Sequence, residues 1–154
     1  MNKSWIANGF TAANALFGGL SIMMSISGEY HVAAICILIA MAADAFDGRV
    51  ARALGTAGPM GVELDSLSDD ISFGVAAGAL MYSYQLRELG ALGFIPCALL
   101  GAFCAFRLAR FNVKVTSVHG YFEGLPCPTV GVIIACYVLS GVKIWNWLAM
   151  VCVL

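Results

Sequence analysis

Four stretches of this chain carry no charged residue at all: 4–28, 71–86, 89–106 and 125–142. Runs of that kind leave few places to fold. A bilayer crossing takes about 20 apolar residues in a helix, and a helix satisfies its own backbone where lipid offers no partner. The rest of the composition agrees, with 61% hydrophobic and 11% charged residues and a mean hydropathy of +0.89. Soluble domains carry about 25% charged residues. We expect an all-α integral membrane protein forming one domain over 1–154. Its helices should cover roughly 9–28, 31–53, 64–86, 89–111 and 126–142, with a sixth starting at 144. That sixth helix reaches Leu154 after about 16 Å of rise, half of a hydrocarbon core of about 30 Å, so it reads as incomplete. The net charge of −1 gives no basic field for nucleic acid.

The cations orient the chain. With the N-terminus cytoplasmic, Lys3, Arg49, Arg52, Arg107, Arg110 and Lys114 fall inside and only Arg87 and Lys143 outside, which is the positive-inside arrangement. Tyr30, Tyr82, Tyr84, Trp145 and Trp147 then form the outer aromatic belt and Trp5 lies at the inner one. The first segment lacks the short apolar core and small-residue cleavage site of a removable signal peptide. The six cysteines make no CxxC pair and read as packing residues; His31 and His119 read as surface residues. Gly18, Gly19, Gly74, Gly78 and Gly101 read as points of close helix approach.

Against this background the acids are concentrated. Six of nine lie within 44–70: Asp44, Asp47, Glu63, Asp65, Asp69 and Asp70. Asp44 and Asp47 are three apart and Asp65 and Asp69 four apart, so each pair shares a helix face. The intervening GTAGPMG is turn chemistry, with one helix ending near 53 and the next starting near 63. Such a hairpin sets two carboxylates opposite two others at the cytoplasmic membrane surface. Each charge at membrane depth costs at least about 3 kcal/mol, which either protonation or a hard cation relieves. Mg²⁺ accepts carboxylates together with waters and substrate phosphates, and two ions about 4 Å apart can clamp both oxygens of a phosphoryl displacement. Gly48 and Ala51 leave room for a ligand, and Arg52 is spaced to meet a phosphate oxygen. The plainer alternative makes these acids interfacial partners of Arg49, Arg52, Arg107 and Arg110.

Written out, the stretch is Asp44-x2-Asp47-Gly48-x2-Ala51-Arg52-x8-Gly61-x3-Asp65-x3-Asp69. It resembles the signature of the CDP-alcohol phosphotransferase family at all eight fixed positions. The resemblance implies a six-helix membrane enzyme, generally a homodimer, that transfers a phosphatidyl-type group from a CDP-linked lipid to an alcohol and releases CMP. It implies a Mg²⁺ or Mn²⁺ site, with two ions, at Asp44, Asp47, Asp65 and Asp69. It also implies Asp69 as the base for the acceptor hydroxyl, and Gly48, Ala51 and Gly61 as small positions admitting the nucleotide. ELDSLSDDISFG, FRLARFNV and YFEGLPCP are similar to the phosphatidylserine synthase branch of that family. Branches with phosphorylated acceptors tend to carry Lys or Arg after the last motif Asp, where this chain has Asp70. The substrates implied are therefore CDP-diacylglycerol and L-serine.

A serine acceptor needs a cation for its carboxylate and an acid or carbonyl for its ammonium. Arg107, Arg110, Asn112 and Glu123 are the residues we expect there. Thr11 and Asn14 share one face of the first helix, and relatives carry a Thr-x2-Asn at that place. They are candidates for nucleotide contact, or else for helix–helix hydrogen bonds. Glycerol phosphate or inositol phosphate as acceptor, and an archaeal ether lipid as donor, stay open. So does a different class, a divalent-cation transporter, although no acid continues the path outward from the cluster.

Overall fold

The computed structural model describes residues 4–54, 58–114 and 126–153, and all regular structure among them is helical. α1 spans Ser4–Ser27, α2 Tyr30–Leu54, α3 Pro59–Asp69 and α4 Ala76–Tyr84; α5 spans Ala91–Lys114, α6 Cys127–Leu139 and α7 Asn146–Val153. Three helical segments are long and apolar enough to cross a membrane: Asn8–Ser27, Tyr30–Val50 and Ala91–Val113. Cys127–Leu139 is a shorter apolar helix. Large apolar side chains such as Met23, Ile26, Phe103, Phe106 and Ile133 face outward, the arrangement expected where the solvent is hydrocarbon.

α1 and α2 pack along each other as a hairpin. The turn closes at Gly28, whose φ of 85° suits glycine, and Glu29 N–H donates back to the Met24 carbonyl at 2.9 Å. The third segment starts earlier than the sequence predicts. Gly58 is extended and Pro59 opens α3, because proline's missing N–H costs nothing in a first turn. Gly61 N–H already donates to the Gly58 carbonyl at 3.0 Å, so Gly61 is helical and not part of the turn.

From Asp69 the rod continues through a π-helical turn, Asp70–Val75, directly into α4. The wider turn presents consecutive residues to several neighbours. Ser72, Phe73 and Gly74 are all buried. A Cβ on Gly18 of α1 would sit 2.9 Å from Ser72 Cα, and one on Gly131 of α6 2.8 Å from the Phe73 ring. One on Gly74 would sit 3.2 Å from Gly101 Cα of α5. Gly78 is as tight, with the Cys97 backbone carbonyl against it. Gly19 departs from the expectation, since a Cβ there meets nothing within 4 Å: it is one residue round α1, on the outward side.

The core runs through this central rod: Ala33, Ala34, Ile37 and Ala40 of α2 meet Phe73, Ala77, Leu80 and Met81, closed by Ile134, Ala135 and Val138 of α6. The bundle end remote from the carboxylates is tied by Gln85. It donates to the Ile144 carbonyl and to Asn146 Oδ1 and accepts from the Tyr137 hydroxyl. Tyr30 and Tyr84 meet edge to face at 5.7 Å, and Lys143 Nζ lies 5.2 Å from the Tyr84 ring centre. The described cysteines are free thiols, with Cys36, Cys97, Cys104 and Cys127 buried and Cys136 exposed. His31 is exposed in the first turn of α2.

Candidate metal centre

α2 delivers Asp44 and Asp47, and α3 delivers Asp65 and Asp69. The i, i+3 and i, i+4 spacings turn each pair toward the other helix. One carboxylate oxygen from each of Asp44, Asp47 and Asp65 lies within 4.8 Å of the other two. That is ligand spacing for a single small cation. Asp47 is only 5% exposed, and both its Oδ2 and Asp65 Oδ1 are buried without a hydrogen-bond partner among the described residues. Leaving one such acceptor bare costs about 1–3 kcal/mol, and more when it is charged. Three converging acids with orphaned oxygens fit a hard, oxygen-seeking divalent cation.

Asp69, expected as a fourth ligand, is not one of these three. Its side chain is 8% exposed and reaches Asp44, but one oxygen is taken: Asn14 Nδ2 donates to Asp69 Oδ1 at 3.0 Å. Three residues earlier on α1, the Thr11 side chain hydrogen-bonds Asp47. Both α1 residues are buried, Asn14 completely. Of the two readings the sequence left for Thr11 and Asn14, the structure displays the helix–helix hydrogen bonds, made to the carboxylates themselves. Asn8 continues the same face to Gly61, where an added Cβ would lie 3.9 Å from Asn8 Oδ1. Helix 1 is thus the back wall of the site.

Gly48 is half-buried beside Asp47. Ala51 and Arg52 continue α2 by one turn beyond it; their side chains, like all of Glu123, lie outside the described residues. On α5, Arg107 is half-buried and Arg110 exposed. Arg107 lines an apolar recess of about 120 Å³ with Phe73, Leu100, Cys104 and Cys127, and its guanidinium reaches the Cys127 thiol. Phe73 is one turn beyond Asp69, so the recess adjoins the acidic site. Asn112 is engaged elsewhere, donating to Ser66 Oγ at 3.0 Å across the α3–α5 contact.

For Asp70 the sequence favours a polar contact at a helix interface. It opens the π turn and turns toward α5, reaching Cys104. A Cβ on Gly74 would stand 2.7 Å from its Oδ1. One residue is about 100° round a helix, which turns Asp70 away from Asp69, and the π turn sets where it points.

The family model for CDP-alcohol phosphatidyltransferases matches residues 4–154. The CDP-diacylglycerol–serine O-phosphatidyltransferase of Helicobacter pylori is 38% identical over 137 residues, 88% of this chain and 58% of that protein. The protein of the same name in Bacillus subtilis is 38% identical over 122 residues, 79% of this chain and 68% of its own length. Archaetidylserine synthase of Methanothermobacter thermautotrophicus is 40% identical over 130 residues, 83% of this chain and 55% of that enzyme. The chain therefore spans a little over half of the Helicobacter and archaeal proteins. With a match over nearly its whole length and the motif carboxylates converging as described, the chain belongs to the CDP-alcohol phosphatidyltransferase family.

Proposed function

We propose that this chain transfers the phosphatidyl group of CDP-diacylglycerol to L-serine, giving phosphatidylserine and CMP. The observation that carries the chemistry is the convergence of Asp44, Asp47 and Asp65 with Asp69 set beside them. The choice of serine is supported by relatives named for serine transfer and by Asp70, an acid where a phosphorylated acceptor calls for a cation.

Asp44, Asp47, Asp65 and Asp69 would hold Mg²⁺ or Mn²⁺, as two ions on the family pattern. Held there, a divalent cation would supply charge neutralisation for the pyrophosphate and for the departing CMP. Gly48, Ala51 and Gly61 keep the approach open for the nucleotide, and Arg52 at the end of α2 meets phosphate oxygens. Asp69, held on one oxygen by Asn14, accepts the proton of the serine hydroxyl. The deprotonated hydroxyl forms a bond to the lipid-proximal phosphorus, and the phosphoanhydride bond to CMP breaks. Arg107, with Arg110 nearby, receives the serine carboxylate, and Glu123 its ammonium. Six membrane helices in a homodimer, with the N-terminus and site cytoplasmic, place this chemistry where the lipid tails can stay in the bilayer.

The test is a transfer assay on the protein purified in detergent, with CDP-diacylglycerol, Mn²⁺ or Mg²⁺, and labelled serine, glycerol phosphate or inositol phosphate in separate reactions. The expected result is metal-dependent label in lipid from serine alone. Label from another acceptor would keep the family chemistry and discard serine; an ether-lipid donor run in parallel reports on the tails.

A further inference from the structure

Two of the buried cysteines are placed for chemistry that packing alone does not call for. Cys104 of α5 and Cys127, the first residue of α6, are both buried, and their thiols hydrogen-bond each other. The Cys127 sulfur also lies 4.0 Å from the Cys104 backbone carbonyl oxygen. Each thiol has a further polar partner. The Arg107 guanidinium reaches Cys127, and Asp70, on the π turn, reaches Cys104. A cysteine that only fills space behaves as a small hydrophobe and needs none of these. Both residues also border the recess of about 120 Å³ beside Arg107 instead of solid core. About 10–15 Å³ is enough to hold one water, so a molecule as small as hydrogen peroxide fits between the two helices.

The chemistry open to such a pair is oxidation. A guanidinium at a thiol favours the thiolate, the form that attacks, and a second thiol in contact condenses with the first oxidation product to a disulfide. We propose that Cys104 and Cys127 form a reversible oxidation site, at which hydrogen peroxide joins them in a disulfide that ties α5 to α6. The Cys127 sulfur attacks one peroxide oxygen, the O–O bond breaks, and the departing hydroxide takes up the proton that Cys127 gave up. The Cys104 sulfur then attacks the sulfenic sulfur of Cys127, the S–O bond breaks, and hydroxide leaves as water with the proton of the Cys104 thiol. The two cysteines lose two electrons and two protons, and the peroxide is reduced to two waters.

The bond acts on the acceptor through Arg107, which lies one turn from Cys104 on α5; this part rests on the serine reading above. A disulfide holds its sulfurs about 2.05 Å apart, well inside contact distance. It therefore draws the start of α6 toward α5, narrows the recess and takes the Cys127 thiol away from the guanidinium. The oxidised protein holds serine less well.

The test uses the full chain in detergent. The protein is treated with hydrogen peroxide, denatured, alkylated at its remaining thiols, and its crosslinks are mapped by non-reducing peptide mass spectrometry. The expected product is a Cys104–Cys127 disulfide that dithiothreitol reverses, with Cys36 and Cys97 still alkylated. In Cys104→Ser the crosslink is absent, and Cys127 goes on to the sulfinic acid. The serine KM of the wild type rises several-fold on treatment and recovers on reduction.

Cys104 and Cys127 that both stay alkylatable, or that pair with other cysteines, overturn the proposal. A crosslink that forms while the serine KM stays where it was overturns its link to the acceptor. If Cys104→Ser folds poorly, the wild-type map decides alone. Mapping needs no turnover, so a wild type inert toward serine would sink the serine reading and leave the thiol pair to be judged by its crosslink.

Discussion

A buried carboxylate must be met by a donor, a cation or a proton, and each acid in this site is met differently. Asp69 has Asn14, Asp47 has Thr11, and Asp65 Oδ1 has no protein partner among the described residues. The spacing of Asp44, Asp47, Asp65 and Asp69 disclosed that they converge, because helical periodicity converts sequence offsets into faces. It did not disclose what holds Asp69. That depends on a side chain 55 residues away in sequence, and only the packing of α1 brings it there. The same distinction separates two residues of α5. On the proposed reading, Arg107→Gln removes a charged partner for the serine carboxylate, about 1.5–3 kcal/mol, and should raise the serine KM by about 10- to 150-fold with a smaller change in kcat. Asn112→Ala should leave that KM near wild type, because its amide is already spent on Ser66; the loss should appear as about 1 kcal/mol of stability. Steady-state kinetics at varied serine, with thermal unfolding in detergent, distinguish the two.

At the scale of elements, helix existence was legible and helix shape was not. Uncharged runs located α1, α5 and α6 to within about five residues, since charge is excluded from lipid more sharply than any propensity marks an end. The start of α3 was missed because Gly58, Pro59 and Gly61 in succession look like a turn, while proline in fact opens the helix. The π turn at Asp70–Val75 left no trace that periodicity could detect, since one widened turn is shorter than the window needed to measure a period. Its consequence is testable through neighbouring glycines of α1. Gly18→Ala drives a methyl into Ser72 and should cost about 1–3 kcal/mol, as overpacking does. Gly19→Ala meets open space and should be neutral or stabilising by up to about 1 kcal/mol, the helix-propensity difference. Thermal unfolding of the two variants side by side should therefore move in different directions. Gly78→Ala, against the Cys97 carbonyl, should behave like Gly18→Ala.

For the whole molecule, the bundle holds a charged site at one end and a polar and aromatic clasp at the other. Gln85, Tyr137 and Asn146 join α4, α6 and α7 there, and the core between sets large side chains such as Phe73 and Leu80 among alanines and glycines that let helices approach. Composition made the membrane setting plain, and the motif made the family plain, because eight positions at defined spacing leave little room for coincidence. The back wall of the site was the hidden part: Thr11 and Asn14 were singled out, but their partners follow from tertiary packing alone. The account turns on a divalent cation held by the converging aspartates, and Mn²⁺ titration of Asp65→Asn, assayed also for transfer, tests it most directly. The prediction is that Asp65→Asn loses Mn²⁺ binding and, with it, transfer. Unchanged Mn²⁺ affinity in Asp65→Asn, or transfer that proceeds without a divalent ion, would contradict the account.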